Sequence, residues 1–294
     1  MASNSKYLIE ASYFPGCTMK TGADESRESM NIALEKLGIK LYELEDWNCC
    51  GSSSGHAMGH DIATDLGARN LSKAPLGRPL VIPCPNCFRN MATARQHLIE
   101  DPEALKRNEE KFGRINIFDP VLNIYDFFHH VFNLVRMGAY KFKEEVRPLA
   151  GLKVAVYYGC GAMYPKSLRP AGPPRDTIER IVREMGAEVV TWPWPHKCCS
   201  AFASAVYPEI AEDMVSQIVT GAYEQDADCI ATSCAMCQMN VEMREMPMTN
   251  HLPIMHLNQL LALYLGEKAK DHPKWWKLHL VDPTPMLKKY NLWD

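Results

Sequence analysis

The chain has 294 residues, 47% of them hydrophobic and 23% charged, with a formal net charge of -3. At roughly 150 residues per domain this length predicts about two globular domains, each long enough for its own core, and the charge balance excludes the basic footprint of a nucleic-acid binder. The residues after Met1 lack the apolar run of a secretory leader, and the most apolar stretch, Val121 to Val135, is interrupted by Asp126, His129 and His130; a cytoplasmic chain with no membrane span is expected.

In chain order, Lys6 to Phe14 alternates and carries β-formers before it breaks at Pro15-Gly16, which predicts a strand ending at Cys17. Asp24 to Leu37 has helical spacing at Met30, Ala33, Leu34 and Leu37, with Gly38 at the stop. Ile39 to Leu44 is a second strand that leads to Cys49-Cys50, after which Gly51 to Gly55 reads as a turn and Ala57 to Leu71 as a helix. Leu80 to Ile82 is a short buried strand ending at Cys84-Pro85-Asn86-Cys87, with a helix from about Phe88 to Ile99. Ile115 to Phe118 and Val121 to Val135 supply a fourth strand and a long helix. The second half repeats the order: strands at Lys153 to Tyr158, Ala187 to Thr191 and Asp228 to Thr232, and helices at Asp176 to Met185, Pro208 to Tyr223, from Cys234 onward, and near His256 to Tyr264. Lys141 to Gly151 is the candidate linker, dividing the chain into domains 1–145 and 146–294. The expected fold class is α/β, two tandem similar βαβ-type domains with parallel sheets, related by internal duplication.

Ten of the eleven cysteines fall into two ordered sets of five: Cys17, Cys49, Cys50, Cys84 and Cys87, then Cys160, Cys198, Cys199, Cys234 and Cys237. Each is a lone cysteine, a vicinal pair and a C-x-x-C. Between the lone cysteine and the pair lie 31 and 37 residues, and between the pair and the C-x-x-C lie 33 and 34. An odd total in a reducing compartment favours metal binding or redox chemistry over structural disulfides. Right-handed crossovers put all the strand ends of a parallel sheet on one edge, so cysteines that each follow a strand converge at one mouth. The helices after Cys50, Cys87, Cys199 and Cys237 are expected to aim their N–H groups there. A structural zinc closes with four ligands; all-thiolate sites otherwise select iron–sulfur clusters. Five thiols exceed the four of a cubane, which points to an unusual cluster, with zinc in one half as the alternative.

These motifs, C-x31-C-C-G-x32-C-x-x-C and C-x37-C-C-S-x33-C-x-x-C, resemble the paired cysteine-rich CCG domains of the heterodisulfide reductase B subunit, including the B-like subunits of sulfur oxidation, over residues 5 to about 266. The resemblance implies two non-cubane [4Fe-4S] clusters, each held by one five-cysteine set, facing one another where a disulfide is cleaved with one sulfur on each cluster. It also implies a ferredoxin-type C subunit and a flavin-containing A subunit as partners. The resemblance leaves the substrate unfixed, with a disulfide or thiol or carrier-bound sulfur expected, and leaves the direction open. One departure is Ser200 where the first half has Gly51; serine can cap a helix, so ligation is expected to survive. Two other functions stand beside this one: a quinone-coupling CCG subunit of a dehydrogenase complex, and a zinc-stabilised docking scaffold.

Around the thiols the readings are plainer. Cys229 reads as a core residue of its strand. His56, His60 and His196 could donate protons, or be hydrogen-bonded structural histidines. Lys166, Arg169 and Arg175 could bind an anionic substrate, or be solvated loop charges. Met19, Met58, Met163, Met236 and Met239 could line an apolar cleft, or fill core. The Trp275-Trp276 tail could dock a partner or pack on its own domain.

Overall fold

The protein is described by a computed structural model over residues 9–142, 146–161 and 176–294, without the side chains of Ser53, His56 and His60. These residues form two compact units, one of 9–17 and 38–127, the other of 18–37, 128–142, 146–161 and 176–294. In chain order the first half runs β1 (Ile9–Tyr13), α1 (Cys17–Thr21), α2 (Asp24–Lys36), β2 (Ile39–Glu43), α3 (Ser52–Met58), α4 (His60–Lys73), β3 (Leu80–Ile82), α5 (Pro85–Glu100), α6 (Pro102–Phe112), β4 (Val121–Asn123) and α7 (Ile124–Arg136). The second runs β5 (Lys153–Tyr157), α8 (Thr177–Glu184), β6 (Glu188–Val189), α9 (Pro208–Tyr223), β7 (Cys229–Thr232), α10 (Ala235–Glu245), β8 (Ile254–His256), α11 (Leu257–Tyr264), α12 (Pro273–Lys277) and α13 (Thr284–Lys289).

Each unit holds a four-stranded sheet, ordered β2-β1-β3-β4 in one and β6-β5-β7-β8 in the other. All pairings are parallel, so the fold is the expected α/β duplication. Strand order reverses beside the first strand of each sheet, the switch point where open α/β sheets place ligands. The cores form on the same plan. Phe14, Leu80, Ile82, Phe88 and Met91 are buried in the first, and Tyr157, Val215, Ile218, Ile230 and Val241 in the second.

Several elements differ from their sequence reading. The fourth strand is Val121–Asn123, pairing Leu80 with Val121, while residues 115–118 form a loop. Asn116 decides this: its buried Oδ1 accepts from Phe118 N and Asp119 N, and its Nδ2 donates to Pro75 O at 3.1 Å, so it binds its own backbone in place of a ladder. The 57–71 helix is two helices broken at Gly59 (φ 145°), and the expected turn at 51–55 is largely α3. Helix α6 was not anticipated, although Asp101 caps it by accepting from Glu103 N and Ala104 N, with Pro102 behind it. The expected strand from Ala187 shrinks to two residues. Of the candidate linker, residues 143–145 and the prediction at 6–8 lie outside the described residues. Beyond 145 the chain is packed, with Leu149 N donating to Met185 O at 2.8 Å.

Helix α2, although drawn from the first half of the chain, packs in the second unit. Asn258 Nδ2 donates to Ser26 O at 3.1 Å, Trp275 Nε1 to Glu28 Oε2 at 3.1 Å, and Lys36 pairs with Glu267 at 3.0 Å. Trp275 and Trp276 are therefore buried within this unit, and Ala269 N and Lys270 N bind Leu292 O and Trp293 O. The tail packs on its own unit.

Gly51 and Ser200 hold the same left-handed backbone, at φ 76° and 62°. Glycine is favoured at the first: a Cβ there would lie 2.5 Å from Leu66 Cδ1, which would have to move aside. At the second, serine carries the left-handed strain. Gly51→Ala is expected to destabilise by about 2 kcal/mol, and Ser200→Gly to stabilise by about 0.5 kcal/mol. Thermal unfolding of both variants checks this; a destabilised Ser200→Gly would contradict it.

Candidate metal centres

Every cysteine of the two sets lies past the C-terminal end of a strand, on one edge of its own sheet: Cys17 after β1, Cys49 and Cys50 after β2, Cys84 and Cys87 after β3, and Cys160, Cys198–Cys199 and Cys234/Cys237 after β5, β6 and β7. Strands β4 and β8 carry none. The C-x-x-C is placed by its helix. Cys84 and Cys234 are the N-caps of α5 and α10, so Cys87 and Cys237 fall at the third helical position, facing back over the cap. The Cys87 thiol, followed by the backbone N–H groups of Cys87 and Asn86 at the start of the helix, acts to lower the Cys84 thiol.

The vicinal pairs are held by the chain that follows them. Cys198 Sγ accepts from Ser200 N at 3.2 Å, and the backbone N–H groups of Gly51, Ser52 and Ala201 act to lower the thiols of Cys49, Cys50 and Cys199. Ser200 thus donates from its backbone and caps no helix: residues 201–206 are turns closed by Ala203 N to Ser200 O and Tyr207 N to Ala203 O, and α9 starts only at Pro208. The expectation that Ser200 serves as a helix cap is corrected accordingly, while the helix read at Pro208 to Tyr223 stands where it was expected.

Sulfurs meet in pairs: Cys49 and Cys17 at 4.0 Å, Cys50 and Cys87 at 3.2 Å, Cys199 and Cys237 at 3.7 Å. Among the described residues no three thiol, imidazole or carboxylate groups close around one point as a single-ion site requires. Hydrogen bonds between the thiols split their acidities. Cys50 is lowered to about 3 by the thiols of Cys49 and Cys87, and Cys198 to about 6 by that of Cys160. Cys84 and Cys199 are also lowered, by bonds from Cys87 and Cys237. Cys49, Cys87, Cys160 and Cys237 are correspondingly raised. Full ionisation of such a set needs cationic charge among the sulfurs, which is what a metal cluster supplies.

The sets are graded in exposure. Cys50, Cys87, Cys199, Cys234 and Cys237 are buried, Cys84, Cys160 and Cys198 half-buried, and Cys17 and Cys49 exposed. A group held there would be anchored in the protein at one end and open at the other.

One pair of supporting residues escaped the sequence reading. Asn90 Nδ2 donates to Cys50 O at 3.3 Å and Asn240 Nδ2 to Cys199 O at 2.7 Å. Each asparagine ties its helix to the vicinal pair from three residues past the C-x-x-C. The shared C-x-x-C-x-x-N of both halves was the available signal.

The remaining candidates scatter. Cys229 is fully buried in β7, a core residue whose thiol burial pushes up. His196 packs against the Tyr158 ring at 5.1 Å between centroids. The side chains of His56 and His60 lie outside the described residues, as do Lys166, Arg169, Arg175 and Met163. Met19 is core, Met236 packs on the second core, and Met58 and Met239 are exposed.

The cysteine-rich domain family named CCG matches residues 11–92 and 154–242. Over 89% of its length the chain is 32% identical to the 8-methylmenaquinol:fumarate reductase membrane anchor subunit of Wolinella succinogenes, covering 94% of that protein. It is 24% identical to the B subunit of the ferredoxin/F(420)H(2)-dependent CoB-CoM heterodisulfide reductase of Methanosarcina acetivorans, over 88% of this chain and 90% of that one. A protein of Archaeoglobus profundus, named as similar to the heterodisulfide reductase B subunit, is 26% identical, over 88% and 91%. In fold the chain resembles a hypothetical protein from Helicobacter pylori, with TM-score 0.69 and 13% identity, over 92% of this chain and 51% of that one. The chain belongs to the cysteine-rich CCG domain family, in the two-domain form of the heterodisulfide reductase B subunit and its relatives. Among the described residues no helix is long and apolar enough to cross a membrane.

Proposed function

We propose that each five-cysteine set holds one iron–sulfur cluster, of the non-cubane [4Fe-4S] type, and that the chain is the redox subunit of a cytoplasmic heterodisulfide reductase-like complex that cleaves or forms a disulfide, or handles carrier-bound sulfur. The observation that carries this reading is the repetition of five thiols on one sheet edge, meeting pairwise and graded from buried to exposed. When bound, a cluster supplies electrons and a Lewis-acidic iron for a substrate sulfur. The buried Cys50, Cys87, Cys199, Cys234 and Cys237 anchor it away from water, backbone N–H groups offset the thiolate charge, and the rim near Cys17 and Cys49, or Cys160 and Cys198, is where a sulfur substrate approaches. Reductive cleavage needs two electrons and two stabilised thiolates, and the two sets provide for both. Electrons reach the chain from a ferredoxin-type C subunit and a flavin-bearing A subunit.

The resemblance to a menaquinol:fumarate reductase subunit favours a second reading, in which the same centres pass electrons between a quinol and a dehydrogenase. Electron paramagnetic resonance of the anaerobically purified, oxidised chain separates the two. A signal perturbed by added thiols and indifferent to a menaquinol analogue is expected; the reverse would move the function to the quinol reading. Two zincs and no iron would sink both and leave a docking scaffold.

A further inference from the structure

The two duplicated sites differ at one position that faces their thiols. Phe14 and Tyr157 each stand two residues before the glycine preceding the lone cysteine. Tyr157 pairs with Thr232, two residues before Cys234; Phe14, one step past the pairing of Tyr13 with Val81, holds the same place in its own sheet. The rings fill matching space. A Cβ on Gly16 would lie 3.1 Å from Cys87 Sγ and 3.7 Å from Phe14 Cε1, and one on Gly159 3.0 Å from Cys237 Sγ and 3.5 Å from Tyr157 Oη. One site therefore carries a phenol where the other carries a plain ring.

We infer that the Tyr157 hydroxyl raises the reduction potential of the second-half centre by hydrogen bonding to a cysteine sulfur of that set. This rests on the reading that each half holds an iron–sulfur cluster, whose potential responds to hydrogen bonds on its sulfurs. Tyr157 is fully buried among the core residues that include Cys199, Cys234 and Cys237, where a donor bond is strong. Its Oη donates to Lys197 O at 2.6 Å, in the residue before Cys198–Cys199, and borders Gly159 together with Cys237 Sγ. With one proton to give, the hydroxyl turns from that carbonyl toward the sulfur as the sulfur gains negative charge. The reduced state is thereby favoured over the oxidised one. The step is a one-electron reduction by an external reductant; the proton stays on the phenol and no bond breaks. In the first half the carbonyl that corresponds to Lys197 O, Asn48 O, is met by Asn70 Nδ2 at 3.0 Å, and Phe14 brings no donor.

The test is a redox titration of the anaerobically purified full chain, followed by electron paramagnetic resonance, in wild type, Tyr157→Phe and a form carrying 3,5-difluorotyrosine at position 157. Phe14 shows that an unsubstituted ring fits such a site. Tyr157→Phe is expected to shift one reduction step about tenfold toward the oxidised state, about 59 mV for one electron, with the other step in place. Difluorotyrosine keeps the ring and hydroxyl but donates more strongly, and is expected to move the same step the opposite way. If Tyr157→Phe loses iron, the difluorotyrosine form decides alone. Unmoved steps in iron-loaded variants, or a downward shift with difluorotyrosine, would overturn the inference and leave the cluster reading standing. A wild type without iron would overturn both.

Discussion

Cys50→Ala is expected to lower the iron bound by the anaerobically purified chain from about eight per chain to about four. Cys50 is 1% exposed, its sulfur lies 3.2 Å from Cys87 Sγ, and its carbonyl is held by Asn90. Alanine there removes a thiolate from the deep end of the first site, where neither water nor an added thiol can reach to replace it. The second set, Cys160, Cys198, Cys199, Cys234 and Cys237, belongs to the other unit and is expected to keep the four irons proposed for it. Cys17→Ala is expected to be milder. Cys17 is exposed, so a solvent ligand can take its place, and partial iron with a changed spectrum is the expected result. Cys229→Ala, in the core of β7, should leave iron unchanged. Iron and acid-labile sulfide per chain read all three, and a Cys50→Ala chain that retains about eight irons would refute the proposed ligand set.

The second large effect is on stability against pH. Glu245, at the end of α10, is fully buried, accepts from Leu252 N at 3.1 Å, and faces the charge of Glu242 one turn earlier. Burial is the main cause that lifts its carboxyl from 4.5 to about 8. The folded state thus holds a proton that the unfolded chain releases near 4.5. The associated stability is complete below that pH, falls by about 1.4 kcal/mol per pH unit as the pH rises toward about 8, and is gone above it. Glu245→Gln keeps the shape and the neutral form. It is expected to match wild type near pH 5 and to exceed it clearly at pH 9, in denaturant unfolding at fixed ionic strength. Superimposable pH profiles would show that Glu245 is ionised in the fold.

Elsewhere on α10, His279 and Glu242 close a buried pair at 2.5 Å that joins the tail to this helix. The tail's place is therefore secured by buried polar contacts as well as by Trp275 and Trp276. No pattern in residues 270–294 announced this.

The sequence alone determined the duplication, the α/β class, most of the strands and helices and both five-cysteine sets, because each is written in local periodicity, in turn residues or in spacing. Glycine and proline marked where β1 and β3 end, and the cysteines follow those stops. What it left open depends on contacts between distant residues. The fourth strand was displaced because Asn116 turns its side chain on its own loop. Helix α2 went to the second unit because its buried face meets α11 and the tail, and helical periodicity says which face is buried but not against what. Ser200 could be read as a cap from its type; its φ of 62° belongs to the shape of the turn after Cys199. The difference between Phe14 and Tyr157 stands in the sequence as one letter, and it acquired meaning only when the fold set both rings against their cysteines. Local order comes from neighbours along the chain, whereas the environment of each sulfur is assembled by packing across tens of residues.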